Sequence, residues 1–310
     1  MPIIKPEQMD FSHKNIIIIL SGLPGTWKTT TACSAMHAFL ADFDEGLARV
    51  NPAHRIDASI CKTYEEFLAD VKEAEGKYET IIIDTCGALI EYMKEWAMRT
   101  DPKASKKDGG FSLQGYGIIK TEFLRLSAEL RKKFNVVFLF HEQVTRNGDE
   151  GVFYELVVEG SARTLVYQPA DLAGHLFVQN GKHYIGFTPT EQYSAKSAYG
   201  IKGIIEIPEL KEGDKNDFLE KLFAKVRANL AAEAQALAPQ KKQYDEAILM
   251  AKVIVGNVKA LEDIPSAVDG INGLNHALTS QKEAKAMLKA KLDELGIVWN
   301  KTTKKYEYKQ

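Results

Sequence analysis

One junction between an apolar run and a glycine-containing octapeptide constrains the fold of this chain more than any other feature. Residues 16–20 (IIIIL) are apolar and β-branched and end at Ser21-Gly22, which predicts a buried strand. The octapeptide GLPGTWKT (22–29) follows, and residues 29–40 have helical character. Backbone N–H groups and a helix N-terminus point at one anion at such a junction. The sequence therefore predicts a phosphate-binding loop.

The pattern GxxxxGK[ST] assigns roles to individual residues of this loop. Lys28 is predicted to reach the β and γ phosphates of a nucleotide, and the Thr29 hydroxyl to hold Mg²⁺, with Thr30 as a substitute or assistant. The whole loop is predicted to bind the nucleotide: Gly22, Leu23, Pro24, Gly25, Thr26, Trp27, Lys28, Thr29 and Thr30.

Trp27 stands where the pattern has its last glycine. The backbone passes close to the phosphates there, so a Cβ atom crowds the loop. Three interpretations are open: a negative φ with the indole pointing outward, an indole packed near the nucleotide, or a blocked phosphate seat. A strand–turn–helix with chance residues and no phosphate site is the remaining alternative.

An aspartate ends a second apolar run, YETIIID (78–84). The carboxyl end of a buried parallel strand faces the ligand crevice of an open α/β sheet. Asp84 is therefore the predicted Mg²⁺ ligand, acting through a water. The alternative is a helix N-cap, by Asp84 or Thr85, for a helix over 88–99.

Two further polar groups follow predicted strands. Asp44, with Asp42 second, is predicted to activate the attacking water near the γ phosphate, and the alternative is a surface turn. Gln143, with His141 second, follows NVVFLF (135–140) and is predicted to sense the γ phosphate. The alternative is that His141 is an ordinary strand-end residue. The predicted catalytic residues are Asp44, Lys28 and Gln143.

Composition excludes several classes of protein. Forty basic and 42 acidic side chains give a net charge of −2, which excludes a globally basic nucleic-acid coat but not a local patch. Three cysteines without CxxC spacing (Cys33, Cys61 and Cys86) indicate a reducing compartment and no zinc site. The apolar runs are far shorter than the roughly 20 residues that cross a bilayer. We expect a cytoplasmic protein.

Alternating apolar strands and helices predict an α/β fold with a mainly parallel sheet covered on both faces. The composition predicts one domain over residues 1–230, a linker over 231–242 (AAEAQALAPQKK) and a small, mainly helical domain over 243–310. Within the last, helices are expected at 243–256, 265–278 and 281–295, with a terminal hairpin over 298–308.

The order of these groups resembles that of RecA-like ATPases. After GLPGTWKTT come LADFDEGLAR, TIIIDTCGAL, a Lys/Gly loop, VVFLFHEQ and GSARTLVYQPADLAGHLFV. The chain is more closely similar to a phage-encoded family of short RecA-like nucleotide-binding proteins, some of which are single-strand annealing recombinases. The segments DFDEGLAR, GYGIIKTEF, FHEQVT and PADLAGHL suggest this, and the resemblance covers about residues 10–208.

The resemblance implies a RecA-like P-loop core that hydrolyses Mg²⁺-ATP, with Asp44 as catalytic acid and Gln143 as the reporter of nucleotide state. It places two single-stranded DNA-binding loops at 99–113 and 144–165. The function that it implies is annealing or strand exchange in phage-type recombination, in the host cytoplasm.

It also implies a homo-oligomer, a ring or a filament, because RecA-like sites form between subunits. Lys196 and Lys202 lie roughly where residues that reach a neighbouring subunit's nucleotide would be.

Some residues of these two loops suit binding of single-stranded DNA. The two loops contain cations and two stacking candidates: Lys103, Lys106, Lys107, Arg146, Arg163, Phe153 and Tyr154. The alternative is two solvated surface loops. Residues 281–310 contain eight lysines and four acids around Trp299, Tyr306 and Tyr308, which predicts either an accessory single-strand contact or a hairpin core with a wet face.

Two rival functions remain open. A P-loop kinase for a small metabolite needs arginines in a lid over the phosphates, and residues 100–110 contain none. A nucleotide-gated scaffold without turnover, which binds a partner through 243–310, is motivated by Trp27.

Overall fold

A computed structural model describes residues 11, 13–146, 151–159, 162–300 and 303–309. Residues 147–150 and 160–161, which belong to the second expected DNA loop, lie outside the described residues. The chain divides into two compact units, one over His13–Asn229 and one from Leu230 onwards.

In the part of the chain that the structure describes, the larger unit contains a nine-stranded sheet. The strands are β1 (Ile17–Gly22), β2 (Ala38–Asp42), β3 (Ala58–Ile60), β4 (Thr80–Asp84), β5 (Asn135–Arg146), β6 (Val152–Leu156), β7 (Leu172–Gln179), β8 (Lys182–Gly186) and β9 (Ile204–Ile207). Their order is β3-β2-β4-β5-β1-β7-β8-β9, and β6 pairs with β5. The first six of that order are parallel, whereas β6, β8 and β9 are antiparallel additions. The predicted α/β class is confirmed.

Helices flank this sheet and build the second unit. They are α1 (Lys28–Ala32), α2 (Tyr64–Ala74), α3 (Cys86–Thr100), α4 (Leu113–Lys133), α5 (Ala162–Leu165), α6 (Phe218–Gly256), α7 (Ile264–Asn272) and α8 (Ser280–Glu294). Thr63, Thr85 and Ser112 cap α2, α3 and α4 through their hydroxyl oxygens, which explains where those helices begin.

The central strands are apolar on both faces because both faces are covered. Every residue of β1 and β4 is buried, and so is the first half of β5. Phe123 of α4 packs against Phe138 of β5, with ring centroids 5.5 Å apart. The buried sheet therefore fixes the positions of its strand ends, where the polar residues meet.

Two predictions of helices are wrong in detail, and the segment predicted as a linker has a secondary structure that the sequence did not predict. The helix expected over 29–40 ends at Ala32, and Ala38–Asp42 is β2, because pairing with β3 and β4 buries its apolar residues in the sheet. Residues 231–242, expected to be a linker, are helical within α6, which agrees with their alanine-rich composition despite Pro239. The helix expected over 265–278 ends at Asn272.

Asn180-Gly181 forms the turn of a β-hairpin in the larger unit. Both residues have positive φ, 51° and 74°, and they join the antiparallel strands β7 and β8. Such a pair of left-handed residues is what a two-residue type I′ turn requires.

The smaller unit has its own apolar core. Residues of α6, α7, α8 and the hairpin β10 (Ile297–Asn300)–β11 (Lys305–Tyr308) contribute to it. The predicted terminal hairpin is present, with Trp299 opposite Tyr306. No helix that the structure describes is long and apolar enough to cross a membrane.

The three cysteines are buried and free. Burial raises the pKa of the Cys33 and Cys61 thiols to about 12, and it also raises the pKa of Cys86. Because the thiolate is the reactive form, none of the three is prepared for nucleophilic chemistry.

The buried carboxylate of Asp171 connects β1 to side chains from three other segments of the chain. Asp171 accepts hydrogen bonds from the Ile17 backbone N–H (3.0 Å), Arg131 (2.9 Å), Lys14 (2.7 Å) and the Tyr199 hydroxyl (2.9 Å). We expect Asp171→Asn to lower the free energy of unfolding by about 2–3 kcal/mol, because it leaves partly buried cations without their counter-charge. Urea denaturation measures this.

The matched control for Asp171 is Glu73→Gln, which breaks an exposed ion pair with Lys77. Its expected loss is about 0.5 kcal/mol or less. Equal losses in the two variants would contradict the anchoring role of Asp171.

Candidate active site

The octapeptide forms the expected turn between β1 and α1. Gly22 ends β1, and a Cβ atom added there would lie 2.6 Å from the Leu176 carbonyl oxygen and 2.7 Å from the Thr26 hydroxyl. Gly25 has φ +82°. Gly22 is therefore required because a side chain would collide with neighbouring atoms, and Gly25 because its backbone is left-handed.

The Lys28 ammonium is buried inside the loop. Its Nζ donates to the carbonyl oxygens of Gly22 and Leu23, each at 2.9 Å. Burial lowers the pKa of Lys28, while the negative charges of Asp84, Glu142 and Asp44 oppose that effect. A phosphate is a stronger acceptor than two carbonyls, so this lysine is placed to exchange them for an anion.

Thr29 and Asp84 meet beside it. The Thr29 hydroxyl donates to Oδ2 of Asp84 at 2.6 Å. A Cβ atom on Gly46 would lie 2.5 Å from the same oxygen, so only glycine fits there. The helix-cap alternative for Asp84 is not what the structure has, because Thr85 caps α3 by accepting from the Ala88 N–H.

Asp84 has an environment that favours a cation. Burial raises its pKa, the nearby charges of Asp42 and Asp44 add to that effect, and the hydrogen bond from Thr29 opposes it. A hydroxyl and a carboxylate are hard oxygen donors that suit Mg²⁺. Among the described residues no cluster of three His, Cys, Asp or Glu side chains suits a metal, so Mg²⁺ here needs phosphate and water ligands as well.

The two acids after β2 have different environments. Asp42 is buried and accepts from the backbone N–H groups of Gly46 (2.9 Å) and Leu47 (3.0 Å), which fixes the turn after the strand. Asp44 is partly exposed, and its Oδ2 lies 3.1 Å from Nε2 of His141 and 3.3 Å from Arg49. Asp44 is therefore the acid that faces the cleft.

These groups line one cleft of 510 Å³. The phosphate-loop residues 24, 25 and 27–30 form one side, and Asp44, Arg49, Asp84 and His141 line it as well. Gln143 does not line the cleft. It is exposed and pairs with Glu155 of β6, two residues beyond His141, because β5 continues as a regular strand where the sequence suggested a loop.

Trp27 has the backbone conformation of the glycine that it replaces. Its φ is 65° and its ψ 27°, which excludes the first of the three open interpretations, a negative φ. The indole stacks on His183 of β8, with ring centroids 3.6 Å apart and planes 10° apart. Burial lowers the pKa of the His183 ring. Stacking offsets a left-handed conformation that costs about 1–2 kcal/mol.

This arrangement predicts unequal effects of two small substitutions. Trp27→Ala removes the stack but keeps the conformational cost, so we expect Mg²⁺-ATP to bind about 5- to 30-fold more weakly. Trp27→Gly removes both, and its affinity is expected to stay within about 3-fold of the parent's. Calorimetric titration measures the dissociation constants. If both variants bind Mg²⁺-ATP equally weakly, the left-handed backbone at residue 27 does not account for the effect.

Sequence reasoning missed several residues of this region. Gly46 and Arg49 belong to DFDEGLAR, and the glycine two residues after Asp44 was a usable signal. It also missed a buried pair, Glu142 on β5 and His175 on β7, in which Oε2 lies 2.8 Å from Nδ1. No pattern in the sequence joins these two, since 32 residues separate them and only the sheet brings them together.

The two segments expected to bind DNA approach each other at the side chain of Glu159. Its carboxylate accepts from Lys94 of α3 at 2.6 Å and from the Tyr116 hydroxyl of α4 at 2.9 Å. The same ammonium lies 6.0 Å from the Phe111 ring centroid. Glu159 belongs to segment 144–165 and Phe111 to segment 99–113, so these contacts bring the two together.

The lysines assigned to subunit contacts differ in their surroundings. The Lys196 Nζ donates to the Ala170 carbonyl at 2.5 Å and to the Tyr167 carbonyl at 3.3 Å, within its own unit. Lys202 is exposed.

The chain matches the model of a known protein family. A family model described as an AAA domain matches residues 14–199, which include every residue of the cleft. No curated protein matches the chain.

Proposed function

The chain belongs to the AAA domain family, and on the premise of a P-loop ATPase domain we propose that it is a Mg²⁺-ATP-dependent single-stranded DNA-binding protein. It hydrolyses ATP and acts in phage-type recombination, in annealing or strand exchange, in the host cytoplasm. The proposal rests on the resemblance to short RecA-like phage proteins and on how the cleft is connected to the two candidate DNA segments.

Each polar group of the cleft has a role in this proposal. Lys28 binds the β and γ phosphates, and Thr29 and Asp84 hold Mg²⁺, which when bound neutralises phosphate charge. Asp44 accepts the proton of the attacking water, and the contact with His141 orients its carboxylate. His141 senses the γ phosphate, and Gln143 passes its position along β5.

One observation carries the coupling between nucleotide and DNA. Strand β5 runs without interruption from Asn135 to Arg146, so His141 in the cleft and residues 144–146 of the second DNA segment belong to one rigid element. A shift of His141 therefore moves the hairpin formed with β6. Glu159 extends that movement to the first segment through its contacts with Lys94 and Tyr116.

The charges suit a phosphate backbone in part. Lys103, Lys106, Lys107 and Arg146 are exposed, whereas Arg163 forms an ion pair with Glu155. Tyr154 packs on the His175 ring with centroids 4.9 Å apart. We propose that Lys103, Lys106, Lys107 and Arg146 contact the phosphates of DNA.

We also propose a homo-oligomer, a ring or a filament. Lys202 is the residue proposed to reach a neighbour's nucleotide. Lys196 is a weaker candidate for that role, because two carbonyls of its own unit already accept from its ammonium.

The test is phosphate release from Mg²⁺-ATP with and without a single-stranded oligonucleotide, at low and high salt. DNA-stimulated release that falls with salt is expected, and it should vanish in Lys28→Ala. Lys106→Gln with Lys107→Gln should weaken stimulation, whereas Lys62→Gln with Lys72→Gln, the same charge change on other exposed lysines, should not.

The rival functions give different results in that assay. Tight ATP binding without release would favour the nucleotide-gated scaffold. Its motive was crowding by the Trp27 Cβ, and the left-handed backbone of Trp27 weakens it. Transfer of labelled phosphate to a small acceptor would favour the kinase, although Arg49 is the sole arginine among the described residues that line the cleft.

A further inference from the structure

The unit from Leu230 onwards contains a groove that the proposed function does not use. Helices α7 and α8 and the hairpin β10–β11 enclose 580 Å³. The floor is aliphatic and includes Ile271, Leu288, Leu292 and Ile297, all of them buried.

The hairpin presents aromatic rings along one face. Ile297 pairs with Tyr308 and Trp299 with Tyr306, and side chains two residues apart on a strand share a face, so these four lie together. Ile297 is buried, but Trp299 is 50% exposed and Tyr308 57%. Trp299 and Tyr306 line the groove, with ring centroids 4.8 Å apart and planes at 66°. A core tryptophan would be covered, whereas this one offers a flat surface at the groove's mouth.

Two cations line the same groove. Lys285 and Lys289 are four residues apart on α8 and therefore lie on one face of that helix. Over the described residues neither ammonium has a carboxylate within ion-pairing distance, whereas Lys291 on the same helix pairs with Glu294 at 3.0 Å. Asp293 is the single acid among the groove's described lining residues. Charge at the groove therefore favours an anionic occupant.

We propose that this groove is a second site for single-stranded nucleic acid. One base stacks on Trp299, and Lys285 and Lys289 bind the adjoining phosphates. The planar bases of a single strand can stack on an exposed indole, and its phosphates can pair with the two lysines. Single-strand sites that tolerate many sequences combine these two kinds of contact. The site includes no residue of the phosphate loop, so binding here needs no Mg²⁺-ATP. It goes beyond the proposed function, which assigns DNA to segments of the larger unit.

The experiment measures binding of a labelled oligothymidine to the full chain without nucleotide at low salt. Trp299→Ala is expected to weaken binding about 5- to 150-fold, the equivalent of losing one stacked base, and Trp299→Phe to restore part of it. Lys285→Gln with Lys289→Gln should reduce the slope of log K against log salt by about 1.4, for two lost phosphate contacts.

The matched control is Lys252→Gln with Lys282→Gln. It makes the same change in charge on two exposed lysines of the same unit that do not line the groove. Equal weakening in both lysine pairs, or no weakening in Trp299→Ala, would overturn the proposal. If an acidic peptide quenches the tryptophan fluorescence and the oligonucleotide does not, the proposal is overturned, and the ligand of the groove is a protein.

Lys28→Ala separates this site from the proposed function. That variant should lose the Mg²⁺-ATP-dependent increase in DNA binding and keep the nucleotide-free binding. Absence of the increase in the parent protein contradicts the proposed function alone. Absence of nucleotide-free binding that depends on Trp299 contradicts the groove alone. Circular dichroism and urea denaturation of Trp299→Phe establish that the hairpin is intact.

Discussion

Lys28→Ala is expected to reduce the rate of ATP hydrolysis by about 100- to 1000-fold, the range found when one preorganised donor to a developing anion is removed. The Lys28 ammonium is buried and donates to two carbonyl oxygens, so the loop holds a positive charge at the position proposed for the phosphates. Alanine leaves that position uncharged. Initial rates of phosphate release at saturating Mg²⁺-ATP measure the effect.

The control for Lys28 is Lys62→Gln, which changes an exposed lysine remote in sequence from the loop. Its rate is expected to equal the parent's. Binding of Mg²⁺-ATP should also weaken in Lys28→Ala, because the charge contacts phosphate in the ground state. A parent-like rate in Lys28→Ala would mean that the loop is not where ATP is hydrolysed.

Asp84→Asn is expected to have opposite effects on activity and on stability. Hydrolysis should fall by about 100-fold or more, because the carboxylate proposed to hold Mg²⁺ is lost. The melting temperature without nucleotide should rise by about 2–4 °C, since a buried charge near two other carboxylates is removed. Asparagine keeps an oxygen that accepts from Thr29. Calorimetric scans and phosphate release measure the two effects.

The pH dependence of stability follows from the raised pKa of Asp84. A carboxyl whose pKa is higher in the folded state binds more protons there than in the unfolded chain, so its contribution to stability falls as pH rises. The loss begins near the unfolded value of about 3.9 and is complete above the folded value. The stability gained in Asp84→Asn should therefore be absent at low pH and present at neutral pH. A gain that does not change with pH would contradict this origin.

Mg²⁺ supplies a second check on Asp84. Added Mg²⁺ with nucleotide should stabilise the parent protein and should stabilise Asp84→Asn much less. Equal stabilisation of the parent protein and of Asp84→Asn would show that Asp84 does not hold the metal.

The local chemistry of the phosphate loop was readable from the sequence because it depends on neighbours in the chain. Gly22, Lys28 and Thr29 lie within eight residues, and a strand followed by a helix is enough to aim them at one point. The acid at the end of β4 followed from the rule that ligands bind outside the carboxyl ends of parallel strands. The turn at Asn180-Gly181 is equally local.

Choices between candidates needed the tertiary structure. Asp42 and Asp44 are two residues apart and chemically alike, and only the fold gives one to backbone N–H groups and the other to the cleft. The sequence predicted that the strand ends near His141 and Gln143, whereas pairing with β6 extends it to Arg146 and carries Gln143 past the cleft.

The sequence by itself determined the α/β class, the loop from Gly22 to Thr29 and the acid at the end of β4, because each follows from short-range pattern and strand direction. Only the tertiary structure decided the conformation of Trp27, since the ring that stacks on it is His183, 156 residues away. The same holds for the Glu142–His175 pair and for the contacts of Glu159. Such contacts depend on the order of the strands in the sheet and on how helices and loops pack around it, and that is set by burial of the whole apolar core rather than by any local segment.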